Sequence, residues 1–165
     1  NELPGAEKCM ELIGSCWQSD VTHHEFKAPD GHTAYIPVMD KEKKRISCGT
    51  TSFTHIADIN TPVAKGLSLA ANYTHMLDSY VVREMIRKAD KQGFELITIH
   101  DSYWCLAGHV NQMRQNYVDI LVSMAKMPLI TDFYNSMKGT SYDDDSKEDI
   151  DKFVELIKTA NYALS

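Results

Sequence analysis

The stretch Phe94-Glu95-Leu96-Ile97-Thr98-Ile99-His100-Asp101-Ser102-Tyr103-Trp104 constrains the fold more tightly than any other part of the chain. Apolar and β-branched residues run up to His100, and an aromatic and apolar run, Tyr103-Trp104-Cys105-Leu106-Ala107, leaves it. This pattern predicts a β-hairpin with Asp101 at its tip. A carboxylate presented at a bend suits a divalent cation, because Mg²⁺ prefers hard oxygen ligands and takes one or two protein carboxylates beside water and phosphate. Asp101 alone does not make such a site. The plainer reading is that Asp101 and Ser102 are turn residues, which both types favour by hydrogen-bonding their own backbone.

Elsewhere the pattern is mainly helical. Cys9, Leu12, Ile13, Cys16 and Trp17 recur at helical spacing from Pro4-Gly5 to about Ser19. Val21 to Phe26 and Thr33 to Val38 flank the turn signal Pro29-Asp30-Gly31 and are predicted to pair as strands. The charged run Asp40-Lys41-Glu42-Lys43-Lys44-Arg45 has the layout of a second, exposed hairpin tip. It is either a solvated turn or a basic finger touching nucleic-acid phosphates through Lys43, Lys44 and Arg45.

From about Pro62 to Gln92 a long helix is predicted, ended by Gly93 in the position of a left-handed cap. Leu69, Tyr73, Met76, Leu77, Tyr80 and Val81 share one side, with Asn72, His75, Ser79 and Arg83 on the other. Val82 and Ile86 join that second side, so the helix is expected to be polar-faced at first and buried all round later. Helices are further predicted over about His109–Lys126, Leu129–Met137 and Ser146–Asn161, the last burying Ile150, Phe153, Val154 and Ile157. The predicted fold class is α+β, mainly helical with a small antiparallel sheet. The chain reads as one domain, 1–165, with a hairpin region at 20–50, a helix and hairpin at 62–107, and C-terminal helices at 109–165.

With 165 residues, 43% apolar and 24% charged, the chain can bury a real core. No apolar run approaches the ~20 residues of a membrane helix, and no membrane partner is expected. Cys9, Cys16, Cys48 and Cys105 form no C-x-x-C pair, which speaks against a zinc ribbon or a redox pair. His23, His24, Glu25 and His32 match no closed zinc spacing, and on a strand His23 and His24 point to opposite faces. A net charge of −6 is awkward for gripping nucleic acid, since phosphate contacts need Lys and Arg.

Several motifs occur in a telling order. They are Ala28-Pro29-Asp30-Gly31, Ala71-Asn72-Tyr73-Thr74-His75-Met76-Leu77-Asp78, His100-Asp101-Ser102-Tyr103, Asp132-Phe133-Tyr134-Asn135-Ser136-Met137, and the tail Asn161-Tyr162-Ala163-Leu164-Ser165. Together, from about Cys9 to the end, they resemble the C-terminal, palm-containing part of single-subunit, bacteriophage and mitochondrial type DNA-directed RNA polymerases. His100-Asp101-Ser102 followed by an aromatic matches the third polymerase motif, and Asn72 to Asp78 matches Pro-Asn-aromatic-X-His-Ser-X-Asp. Trp104 stands where phage enzymes carry Gly, Met76 replaces a small residue, and the segment matching the specificity loop is shorter.

The resemblance implies template-dependent nucleotidyl transfer with Mg²⁺, Asp101 being one of two metal-binding aspartates and His100 a second catalytic residue beside the primer end. The partner aspartate would lie in upstream polypeptide, so the chain is expected to be inert alone, as a fragment or subunit of a larger polymerase; its start at Asn1 suits that expectation. Asn72, His75 and Ser79 would line the minor groove of the growing base pair, whose acceptors are nearly universal. Tyr162 and Leu164 would anchor the C-terminus near the active site. The implied partners are DNA template, RNA product, nucleoside triphosphates and the rest of the polymerase. The expected setting is the cytoplasm of an infected bacterium, the alternative being the mitochondrial matrix. The other readings are a related hand-shaped DNA polymerase, a non-catalytic interaction subunit, and a helical binding module in which Asp101 only turns the chain.

Overall fold

The computed structural model describes residues 4–62, 67–99, 101–140, 142 and 150–160. Helix α1 (Pro4–Ser15) leads into strands β1 (His23–Lys27) and β2 (Thr33–Pro37), then β3 (Met39–Cys48) and β4 (Thr51–Pro62). Helix α2 (Leu67–Gln92), strands β5 (Ile97–Ile99) and β6 (Ser102–Trp104), and helices α3 (Val110–Ala125), α4 (Leu129–Lys138) and α5 (Ile150–Thr159) complete the order. The fold is α+β, and its antiparallel part is divided among three two-stranded sheets, β1-β2, β3-β4 and β5-β6.

The first core forms where alternation and helical periodicity meet. On β1 every second residue, His24 and Phe26, is buried, and on β2 Ile36 lies opposite His24. Phe26 packs edge-on against Phe133 of α4, and Tyr73 of α2 lies 4.4 Å from the Phe133 ring centroid. Ile13, Cys16, Leu69 and Met76 close this cluster. The Tyr73 hydroxyl donates to the Leu129 carbonyl at 2.9 Å, so the ring is buried without an orphaned polar tip. Burial pushes its pKa up. The second core, Val81, Met85 and Ile120 with Tyr103 and Tyr117 beside it, lies further along α2.

The predicted left-handed cap is present. Gly93 has φ +74°, and the Phe94 N–H donates to the Ala89 carbonyl at 3.1 Å, ending α2 and turning the chain toward β5. Beside it Gln92 and Asn116 exchange two amide hydrogen bonds of 3.0 and 2.8 Å, fastening the end of α2 to α3.

Three expectations need correction. The charged run is not a hairpin tip: Lys43, Lys44 and Arg45 lie inside β3, opposite Ile56, His55 and Thr54 of β4, and the turn falls at Gly49 with φ +62°. A strand exposed on both faces solvates its charges without a bend. Because β4 runs to Pro62, α2 starts at Leu67 rather than near Pro62. Finally, Ile86 is 45% exposed, and on α5 only Val154 is fully buried while Phe153 is 56% exposed.

Arg83, predicted on the polar side of α2, is held by an ion pair. Its Nε and Nη2 donate to Asp30 Oδ2 and Oδ1 at 2.6 and 2.9 Å, and Arg87 Nη1 adds a third bond at 3.1 Å while also pairing with Glu84. The Asp30 side chain is 6% exposed. The Arg83 guanidinium holds its carboxyl well below the usual range. This clamp fixes the β1-β2 turn against α2. Replacing Asp30 with Ala leaves the Arg83 guanidinium without its carboxylate while Arg87 keeps Glu84, and urea unfolding is expected to register a loss of about 1–3 kcal/mol.

His24 sits 4% exposed against Trp17, and its Nε2 accepts the Gln18 N–H at 3.2 Å. That bond requires an unprotonated Nε2, and burial lowers the pKa of the ring. The unfolded histidine takes up a proton below about pH 6.5 while the folded ring resists it, so this stability is full above that pH and declines as pH falls. Thermal midpoints measured from pH 7 down to pH 5 should fall more steeply for the wild type than for His24→Gln.

Candidate active site

The site is built on the shortest sheet. Ile97 pairs with Trp104, Thr98 with Tyr103 and Ile99 with Ser102, and Asp101 stands exposed in the turn that joins them. The alternation along these strands divides the hairpin into two faces. Tyr103 and Thr98 face inward and are half-buried, whereas Ile97, Ile99 and Trp104 are 64%, 54% and 61% exposed. The inward face ends on α3, where the rings of Tyr103 and Tyr117 lie 6.0 Å apart at 57°.

The tyrosine pair also locates two carboxylates. Burial pushes the Tyr103 phenol up to about 12, and the neighbouring Tyr117, Asp78 and Asp101 add to that rise. Tyr117 is raised by burial and by the same two aspartates. Asp101 of the turn and Asp78 of α2 thus both act as negative charges on these two phenols. Asp78 is three positions from His75, and residues three apart are neighbours on a helix surface. Sequence reasoning quoted Asp78 within its motif but gave it no role; its spacing from His75 was the available signal.

Asn72, His75 and Ser79 do share one exposed face. Asn72 Nδ2 donates to the Ser68 carbonyl at 2.8 Å and Ser79 Oγ to the His75 carbonyl at 2.8 Å, so both lean on their own helix backbone. Lys43, Lys44 and Arg45 are exposed on the separate β3-β4 hairpin, with Arg45 donating from Nε and Nη2 to Ser52 Oγ across the strands. In that register Lys43 and Arg45 share one face, and Lys44, Ile46, Phe53 and His55 the other. His100, Tyr162 and Leu164 lie outside the described residues.

Among the described residues no three His, Cys, Asp or Glu side chains gather as a closed metal cage. An exposed carboxylate such as that of Asp101 fits Mg²⁺ better than zinc, since Mg²⁺ keeps several waters and binds through one or two carboxylates with substrate phosphate. The donor chemistry is that of Asp101 and of nothing softer. No helix among the described residues is long and apolar enough to cross a membrane.

Residues 26–163 match the DNA-dependent RNA polymerase family, and the chain belongs to that family, in its single-subunit phage and mitochondrial type. Membership ties it to DNA-directed RNA synthesis, to Mg²⁺ as the family's usual ion, and to a DNA template and nucleoside triphosphates as the family's substrates. No curated protein matches the chain.

Because Asp101 is exposed and outside both cores, its substitution should not unfold the protein. Asp101→Asn is expected to shift unfolding free energy by less than about 0.5 kcal/mol, which a denaturant titration checks.

Proposed function

We propose that this chain is the palm-containing part of a DNA-directed RNA polymerase, supplying one of two metal-binding aspartates, Asp101, and inert without the rest of the enzyme. The observation that carries the reading is the exposed Asp101 at the tip of a hairpin whose outer face is open among the described residues. Mg²⁺, held by Asp101 and by a second aspartate from the remaining polypeptide, would stabilise the attacking and leaving oxygens of an in-line displacement. His100, adjacent in sequence, would position the RNA end.

Asn72, His75 and Ser79 would present donors and acceptors to the minor-groove edge of the new base pair, where the acceptor pattern is nearly the same for every sequence. Lys43, Lys44 and Arg45 would neutralise phosphates along the β3-β4 hairpin, a two-stranded ribbon of the kind a major groove admits. A net charge of −6 leaves most of the backbone grip to the rest of the polymerase, on the same chain or another subunit. The apolar outer face of β5-β6, with Ile97, Ile99 and Trp104 exposed, supports such a neighbour. Tyr162 and Leu164 would anchor the C-terminus near the site. The proposed setting is the cytoplasm of an infected bacterium or, failing that, the mitochondrial matrix.

The isolated chain with Mg²⁺, template and nucleoside triphosphates should extend no RNA. In the complete polymerase, Asp101→Ala should lower elongation by about a thousandfold or more, in line with several kcal/mol of metal stabilisation. Robust extension by the isolated chain, or by the Asp101→Ala enzyme, contradicts the proposal.

A further inference from the structure

We propose that Tyr117 of α3 is a positioning residue for Asp101, acting through Tyr103. The inference rests on the reading of Asp101 as a metal ligand. A three-rung hairpin has little stability of its own, so the placement of its turn is decided by what the strands pack against. Leu96 at the base and Tyr103 near the tip are the hairpin residues that enter the Val81, Met85 and Ile120 core. Leu96 lies five positions before Asp101 and restrains only the entry to β5. Tyr103 lies two positions after it, and a strand residue two places from a turn moves with that turn. The ring that Tyr103 meets on α3 is Tyr117, at 6.0 Å.

The opposite face gives no support among the described residues, because Ile97, Ile99 and Trp104 are exposed. The hairpin is therefore braced on one side, through the core that Leu96 and Tyr103 enter and through the ring contact of Tyr103 with Tyr117. Helix α3 supplies a firm base for it: Asn116, next to Tyr117, is 2% exposed and locked to Gln92 by two hydrogen bonds. A ligand carboxylate displaced by a fraction of an ångström still folds but binds its ion poorly, which is why residues behind a ligand often matter nearly as much as the ligand.

The experiment uses the complete polymerase carrying this chain and reads Mn²⁺ binding by electron paramagnetic resonance, beside the Mg²⁺ concentration that half-saturates elongation. Tyr117→Leu keeps apolar volume in the core but removes the ring contact, and is expected to weaken Mn²⁺ binding and raise the Mg²⁺ requirement by about tenfold. Tyr117→Phe, which keeps the ring, should restore both to near the wild-type values. Tyr134→Leu removes a comparable ring pair with Tyr142 elsewhere in the fold and should leave both unchanged. Wild-type ion binding in Tyr117→Leu, or an equal loss in Tyr134→Leu, overturns the positioning role while leaving Asp101 as a ligand. Unchanged ion binding in Asp101→Ala overturns the ligand reading itself and the positioning role with it.

Discussion

Helix α2 enters both hydrophobic cores, through adjoining sides of the helix, and the rest of the structure is arranged by that fact. Leu69, Tyr73 and Met76 enter the cluster with Phe26 and Phe133, while Val81 and Met85 enter the cluster with Ile120. Each such side chain contributes roughly 1.5–3 kcal/mol on burial, enough that no rotation of the helix keeps one core and loses the other without a large cost. A helix of 26 residues also spans about 39 Å, so α2 acts as a ruler between the β1-β2 sheet and the β5-β6 hairpin. The Asp30 clamp at Arg83 and the amide pair between Gln92 and Asn116 fasten other elements to the same ruler.

The face that the cores do not use is thereby fixed as well. Asn72, His75 and Ser79 are exposed because Tyr73, Met76 and Tyr80 are buried, and no separate interaction is needed to aim them. Asp101 is aimed differently. Its hairpin has three paired positions and one packed side, so its position depends on Tyr103 and Leu96 rather than on strand pairing. The polar stripe is thus rigid through its helix, and the carboxylate through the packing of Tyr103 and Leu96.

The sequence was readable where one side of an element is buried. The β1-β2 pair, the β5-β6 hairpin, α3 and α4 were all legible because burial imposes a period of two or of 3.6 on the residue types. The Gly93 cap was legible because few other residues tolerate a positive φ. The β3-β4 hairpin was not, since its described side chains from Lys43 to Ile56 are exposed on both faces and carry no alternation. Charge then looked like a turn. Gly49, followed by Thr50, Thr51, Phe53 and Ile56, was the better signal, a residue able to adopt positive φ between two β-favouring runs. Of the site, Asp101 and the α2 stripe were visible as motif residues, whereas the contact with Tyr117 was invisible, because it joins positions that only tertiary packing brings together.

That same hairpin bears on how a chain of net charge −6 distributes its cations. Among the described side chains of β3 and β4, Lys43, Lys44 and Arg45 are cations, and the carboxylates Asp78 and Asp101 lie on other elements. At physiological salt the screening length is about 8 Å, so charges on separate elements act largely as local fields rather than as a sum. The Lys43-Lys44-Arg45 run on β3 and the carboxylate at the β5-β6 turn are thus separate local fields, although β3 and β4 also carry Asp40, Glu42 and Asp58. Neither feature draws on the two cores, so the exposed side chains of β3 and β4 are free to vary while α2 keeps the Asn72, His75 and Ser79 stripe in place.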